Sequence, residues 1–170
     1  MEKLFFDASS LIYLTKIKLK EKLPLLGEII VSDAVKKELL RDSDKFEDAK
    51  ILKANIDKKL INLTKMKIKN IFKNKSLGKG EKSTIEICLK NEGIFITDDH
   101  QALNFALGLG LETKTSEIIL TDLLEKSIIN HNQFTKNMSE LARIKSLSPE
   151  IVEIFKEKAQ NLKYKRRSKK

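Results

Sequence analysis

Short apolar runs, each followed by a segment of helical period, constrain this chain more than any other feature. Lys3–Asp7, Glu28–Val31 and Gly93–Thr97 read as such strands, with the more polar Leu111–Thr115 a last short strand and Ile61–Thr64 a weaker candidate. Runs this short that are apolar throughout, rather than alternating, suit strands buried on both faces. Helical periods separate them. Ser9 or Ser10 is placed to cap a helix that turns Leu11, Ile12, Leu14 and Ile17 inward, and Ser32 to cap a helix over Asp33–Arg41. Further helices are expected near Phe46–Lys59, over Glu81–Asn91, over His100–Leu107 with Gly108 and Gly110 ending it, and over Ser116–Ile129. Lys65–Lys75 reads as a helix or an arm. Such alternation predicts an α/β fold, a parallel sheet of about four to five strands in a three-layer α/β/α arrangement.

Beyond Asn130 the strand signals stop. Two helices are expected, Asn132–Lys145 and Pro149–Lys163, the second opened by Ser148 as cap and Pro149 at its first position. The organisation predicted is an α/β domain over 1–129, a helical extension over 130–162 and a basic tail over 163–170. The extension carries an apolar face of Phe134, Met138, Leu141, Ile151, Ile154 and Phe155, fit to pack on the domain, on a second copy in a homodimer, or on another partner.

Hydrophobic residues at 41% and charged residues at 34% exclude a disordered chain. No apolar run approaches the roughly 20 residues that span a bilayer, so no membrane association is expected. The opening Met1-Glu2-Lys3 leads straight into a strand-like run, and no signal peptide is expected. A single cysteine, Cys88, fits the reducing cytoplasm, and its helical phase makes it a packed thiol. The net charge of +10 implies a polyanionic partner. Six of those charges, Lys163, Lys165, Arg166, Arg167, Lys169 and Lys170, lie in the last eight residues, where they suit either a nucleic-acid backbone or a solubilising end.

Against this frame, four acidic spots stand out. Asp7 closes the first apolar run and the Asp98-Asp99 pair closes another, at the strand ends where open parallel sheets bind ligands. Glu38 shares a helix face with Ala34 and Val35, and Glu81 with Ile85 and Cys88, so both are expected to point inward; Glu86 groups with Lys82 and Lys90 and is expected on the solvated face. Inward carboxylates need a partner or a metal. If they converge, Mg²⁺ or Mn²⁺ relieves their repulsion and can activate a water against a phosphodiester. Each acid alone is also explicable as a helix-dipole charge or a lysine partner.

The residues that carry these acids resemble the PIN-domain family, the ribonucleases that include VapC-type toxins. The segments are Phe6-Asp7-Ala8-Ser9-Ser10-Leu11-Ile12, Val31 to Leu39 ending in Glu38-Leu39, Gly80-Glu81-Lys82-Ser83-Thr84-Ile85, Thr97-Asp98-Asp99-His100-Gln101-Ala102 and Gly108-Leu109-Gly110-Leu111. They stand in family order across roughly residues 1–128. The resemblance implies a PIN-like fold and Mg²⁺- or Mn²⁺-dependent cleavage of single-stranded RNA. Asp7, Glu38, Glu81 and Asp98 or Asp99 would be the acids, with Asp7, Glu81, Asp99 and Asp98 as metal ligands and Ser9 a supporting hydroxyl. The Thr-x-Asp pattern favours Asp99. Ser83 stands where many relatives have another acid, which implies a lean site. It further implies RNA as partner and an antitoxin protein if the chain is a toxin. A non-catalytic RNA-binding module and an RNA-processing nuclease without an antitoxin remain open.

Other signals carry less. Gly78 to Thr84 resembles a phosphate-binding loop but has Ser76 and Glu81 where that motif needs glycine. His100 reads as an exposed helix-start residue, His131 as a turn residue, and Tyr13 and Phe105 as packing.

Overall fold

The computed structural model describes residues 1–41, 46–64, 69, 71–72 and 76–167. The chain forms two compact units, Met1–Ser116 and Glu117–Lys170. In the first, β1 (Lys3–Phe6), β2 (Glu28–Val31), β3 (Asn62–Leu63), β4 (Ile94–Ile96) and β5 (Thr113–Lys114) form one sheet, in the order β3-β2-β1-β4-β5. Every pairing is parallel, with Phe5 opposite Ile30 on one side and Phe95 on the other. The three-layer α/β/α class expected from the alternation is what the chain adopts.

Burial explains the apolar runs of the three central strands, β1, β2 and β4. Phe5, Ile30 and Phe95 face one layer, where Ile85, Ile87, Cys88, Ala102 and Ala106 cover them. The residues between them, Leu4, Phe6, Ile29, Val31, Ile94 and Ile96, are buried too, and alternation turns them to the opposite face. A sheet covered on both sides keeps polar side chains to the first residues of β1 and β2, Lys3 and Glu28, and to the short edge strands β3 and β5.

The helices are α1 (Ala8–Lys16), α2 (Asp33–Leu40), α3 (Glu47–Asp57), α4 (Lys79–Asn91) and α5 (His100–Gly108), with a short 3₁₀ turn at Leu23–Leu25. The cap of α1 corrects the expectation: Asp7, not Ser9 or Ser10, is the N-cap, and its carboxylate accepts from the Ser10 backbone N–H at 2.9 Å. The Asp7 carboxylate, two residues before Ser9 and three before Ser10, reaches that N–H, so neither hydroxyl is needed. Ser32 caps α2 as expected, accepting from the Val35 N–H at 3.1 Å. α5 ends at Gly108, and Gly110 takes a left-handed φ of 78° that favours glycine. Of the expected element over Lys65–Lys75, residues 65–68, 70 and 73–75 lie outside the described residues; 69, 71 and 72 are neither helix nor strand. Phe72 meets the Phe105 ring edge-on at 5.3 Å.

Glu86 departs from its expected place on a solvated face. It is 1% exposed: Oε1 accepts from Lys90 Nζ at 2.6 Å and from the Lys69 backbone N–H at 2.7 Å. Burial raises its pKa, but the bonds from Lys90 and the backbone of Lys69 and Ile71 outweigh that and leave it below the ordinary value. Helix phase could not show this, because the covering segment is remote from the helix repeat. Cys88 is a packed thiol as expected, donating to the Gly93 carbonyl at 3.1 Å, and burial pushes it up to about 11.

The second unit holds most of α6 (Ser116–Glu125), then α7 (His131–Lys145) and α8 (Pro149–Arg167). Asn130 and Gln133 close a capping box on α7, and a buried ion pair joins Lys145 to Glu117. Phe134, Met138 and Leu141 are buried, whereas Ile151 and Ile154 remain exposed on α8. That helix continues to Arg167, beyond its expected end at Lys163. Side chains of the basic tail, residues 163–170, lie outside the described residues. No helix among the described residues is long and apolar enough to cross a membrane.

Candidate active site

The sheet order creates the place where a site belongs. From β1 the chain runs outward to β2 and β3, then returns to lay β4 on the other side of β1. The carboxyl ends of β1 and β4 thus flank a topological switch point, where parallel sheets open a crevice. Asp7 and Thr97 occupy those two ends, joined by a backbone bond from the Asp7 N–H to the Ile96 carbonyl at 3.0 Å.

Asp7 is 3% exposed, and its carboxylate is the hub of the crevice. Oδ2 accepts from Thr97 Oγ1 at 2.6 Å and from Ser9 Oγ at 3.0 Å, while Oδ1 takes the Ser10 N–H. Burial nevertheless pushes its pKa up to about 6, against the hydrogen bonds from Thr97, Ser10 and Ser9. Thr97 also accepts the Asp99 backbone N–H at 3.2 Å. One hydroxyl therefore ties the loop after β4 to Asp7, a link that sequence reading missed.

The two adjacent aspartates have separate jobs. Asp98 is turned to the start of α6: Oδ1 accepts the Ser116 N–H at 3.0 Å and Oδ2 the Ser116 hydroxyl. Asp99 caps α5, with Oδ1 accepting from the Ala102 N–H at 2.8 Å. Asp99 is exposed, as is His100.

Glu38 and Glu81 form a second acidic pair, between α2 and the first turn of α4. Glu38 is exposed, which corrects the expectation that it points inward. Val35 and Leu39, four apart, take the buried stripe of α2, and Glu38 lies at its edge toward α4. A Cβ on Gly80 would stand 2.7 Å from Glu38 Oε2, so glycine is what admits the carboxylate. Burial and the charge of Glu81 raise the Glu38 pKa, opposed by Arg41. Glu81 is half-buried and its Oε2 is a buried oxygen without a hydrogen-bond partner among the described residues.

Ser83, where an acid was missed in the sequence, instead fastens the two helices. Its hydroxyl lies 2.6 Å from that of Ser32 and donates to the Gly80 carbonyl at 2.8 Å. Both serines are buried. Ser32→Ala removes a helix cap and this bridge together, and is expected to cost about 2 kcal/mol in urea unfolding. A cost near zero would show that the bridge does not hold α2 to α4.

Among the described residues, no three of His, Cys, Asp and Glu are grouped tightly enough to hold a metal ion. The acids stand as two pairs, Asp7 with Asp99 through Thr97, and Glu38 with Glu81. Their chemistry nonetheless fits a hard divalent cation: all donors are carboxylate oxygens, one buried oxygen lacks a partner, and two pKa values are raised by burial.

A family model, DUF3368, described as a PIN domain, matches residues 3–160. The chain belongs to the PIN-domain family. PIN domains are generally nucleases and usually use divalent metal ions. No curated protein matches this PIN domain. Among solved structures, it is similar to a domain of a functionally unknown protein from Methanocaldococcus jannaschii DSM 2661. That domain is 21% identical, with 68% of this chain and 91% of the other covered and a TM-score of 0.48.

Proposed function

We propose that this PIN domain is a metal-dependent endoribonuclease that cleaves single-stranded RNA in the cytoplasm. The observation that carries the reading is Asp7, a carboxylate held by three donors at the sheet's switch point yet raised to about 6 by burial. A group built to stay fixed and left short of positive charge is poised for a cation. Asp7, Glu81 and Asp99, which are not grouped for a metal beforehand, would close on Mg²⁺ or Mn²⁺ as it binds, while Asp98 is held by Ser116. Bound there, the ion would supply a more acidic water and charge stabilisation at the scissile phosphate. Ser9 and Thr97 keep Asp7 Oδ2 in one orientation. Glu38, with its raised pKa, is suited to take a proton from the attacking water.

A labelled single-stranded RNA incubated with the full chain tests the reading. Cleavage with Mg²⁺ or Mn²⁺, abolished by chelation, is the expected result; RNA binding that never leads to cleavage would make the chain a binding module instead. The motif order resembling VapC-type toxins favours a toxin held in check by an antitoxin protein. A small antitoxin gene beside this one is the expected genetic mark, and its absence would favour RNA processing. The basic residues Lys163, Lys165, Arg166, Arg167, Lys169 and Lys170 would add sequence-independent contacts to RNA phosphates. Deleting residues 163–170 is expected to weaken binding and flatten its salt dependence, since each lost phosphate contact removes about 0.7 from the log–log slope. An unchanged slope would show the tail to be a passenger.

A further inference from the structure

We infer that the exposed face of α2 is the track on which the RNA backbone lies as it enters the site, with Lys36, Lys37 and Arg41 as its phosphate contacts. The inference rests on the nuclease reading and adds to it the residues that hold the strand. These three cations, with Leu40 and Asp33, line an open cleft of about 490 Å³. The helix has one buried stripe, Val35 and Leu39, and the cations stand off it. Among the described residues, neither the Lys36 nor the Lys37 side chain makes a hydrogen bond or ion pair, which leaves both ammonium groups to a ligand.

Position makes this more than a solvated basic face. Glu38 sits between Lys37 and Leu40 on the same helix, and Arg41 acts electrostatically on its carboxylate. Glu38 in turn lies against Gly80 and feels the charge of Glu81. A strand crossing the cleft is thus led directly to the acidic pair. The cations also answer an electrostatic difficulty. A polyanion approaching Glu38 and Glu81 is repelled, and positive groups on the approach side offset that repulsion before the cation does. Asp33 is the acid among the lining residues; at the first position of α2 it complements the helix dipole. The apolar Leu40 gives the concave surface a floor on which an unstacked base can rest.

The test compares the full chain with the triple variant Lys36→Gln, Lys37→Gln, Arg41→Gln. Binding of a fluorescein-labelled oligouridylate is measured by anisotropy in chelator across a series of salt concentrations, with circular dichroism as the check on folding. Three lost contacts are expected to reduce the log–log salt slope by about 2 and to weaken binding roughly a hundredfold at 0.1 M salt. In Mn²⁺, cleavage by the variant is expected to show a raised KM with kcat little changed. A folded variant that binds with the same slope and the same KM as the unaltered chain overturns the inference while leaving the nuclease reading intact. Binding that depends on these residues without any cleavage in metal upholds the track and overturns the catalytic reading. Failure of the unaltered chain to bind the oligouridylate at low salt overturns both.

Discussion

Asp7→Asn is expected to abolish metal-dependent RNA cleavage and, in the same protein, to raise stability at neutral pH in chelator. The two effects have one cause. Asp7 titrates at 3.8 in the unfolded chain and at about 6 in the folded one, because burial disfavours its charge. The native state therefore holds this proton more tightly than the unfolded state. Stability is complete below pH 4, declines as pH rises through 6, and bears the full penalty above pH 7. A shift of that size corresponds to about 3 kcal/mol. An asparagine lacks the charge, but with one acceptor oxygen it cannot accept both from the Ser10 N–H and from the Ser9 and Thr97 hydroxyls, so the net gain is expected to be about 1–2 kcal/mol at pH 7.5. At pH 4 the advantage should vanish. Urea titrations at both pH values measure it, and Mn²⁺ should reverse the order by stabilising only the unaltered protein. A variant that loses activity and is also less stable in chelator at pH 7.5 would mark Asp7 as a structural residue.

Phe95→Ala is expected to have the largest effect on folding, a loss of about 4 kcal/mol. Phe95 is fully buried in β4, between Phe5 of β1 and Thr113 of β5, against the helical layer that includes Ala102 and Ala106. Truncation leaves a cavity under the central strands, and a domain of ordinary stability has little more than that to lose. Because β4 delivers Thr97 to Asp7, cleavage should fall even where the variant remains partly folded. Phe46→Ala is the control: that ring is 57% exposed, and its loss should shift the urea midpoint little. A small effect at Phe95 would mean that the sheet is not held by this core.

The architecture was legible because the three central strands are apolar beyond the first residue of β1 and β2, and throughout β4, and the helices between them are amphipathic. Periods of that kind report burial directly, and Gly93–Thr97 or Asp33–Arg41 could be read within a residue or two of β4 and α2. The candidate site was legible where an acid ends a strand, since a strand end fixes direction as well as place. Asp7 and Asp99 follow that rule. Helix phase was a weaker guide. It placed Glu38 with Val35 although the buried stripe runs from Val35 to Leu39, and it placed Glu86 in solvent although a remote segment closes over it. Phase describes a lone cylinder, and burial depends on what is laid against it. The bond from Thr97 to Asp7 spans 90 residues and that between Ser32 and Ser83 spans 51. Neither leaves a local signal, because a buried serine or threonine looks the same in sequence whether it binds its own helix or a distant strand. The cap by Asp7 was hidden by two serines just after it, each equally competent for the role.

Acids from the end of β1, from α4 and from the loop after β4 are proposed to hold one catalytic cation. A crystal of the full chain soaked in Mn²⁺ and measured at the manganese absorption edge tests it most directly. An anomalous peak is expected at the carboxyl ends of β1 and β4, about 2.2 Å from an Asp7 carboxylate oxygen and in reach of Glu81 and Asp99. The peak should be missing in Asp7→Asn. Saturating Mn²⁺ that supports RNA cleavage yet leaves this position empty, or binds through other residues, would contradict it.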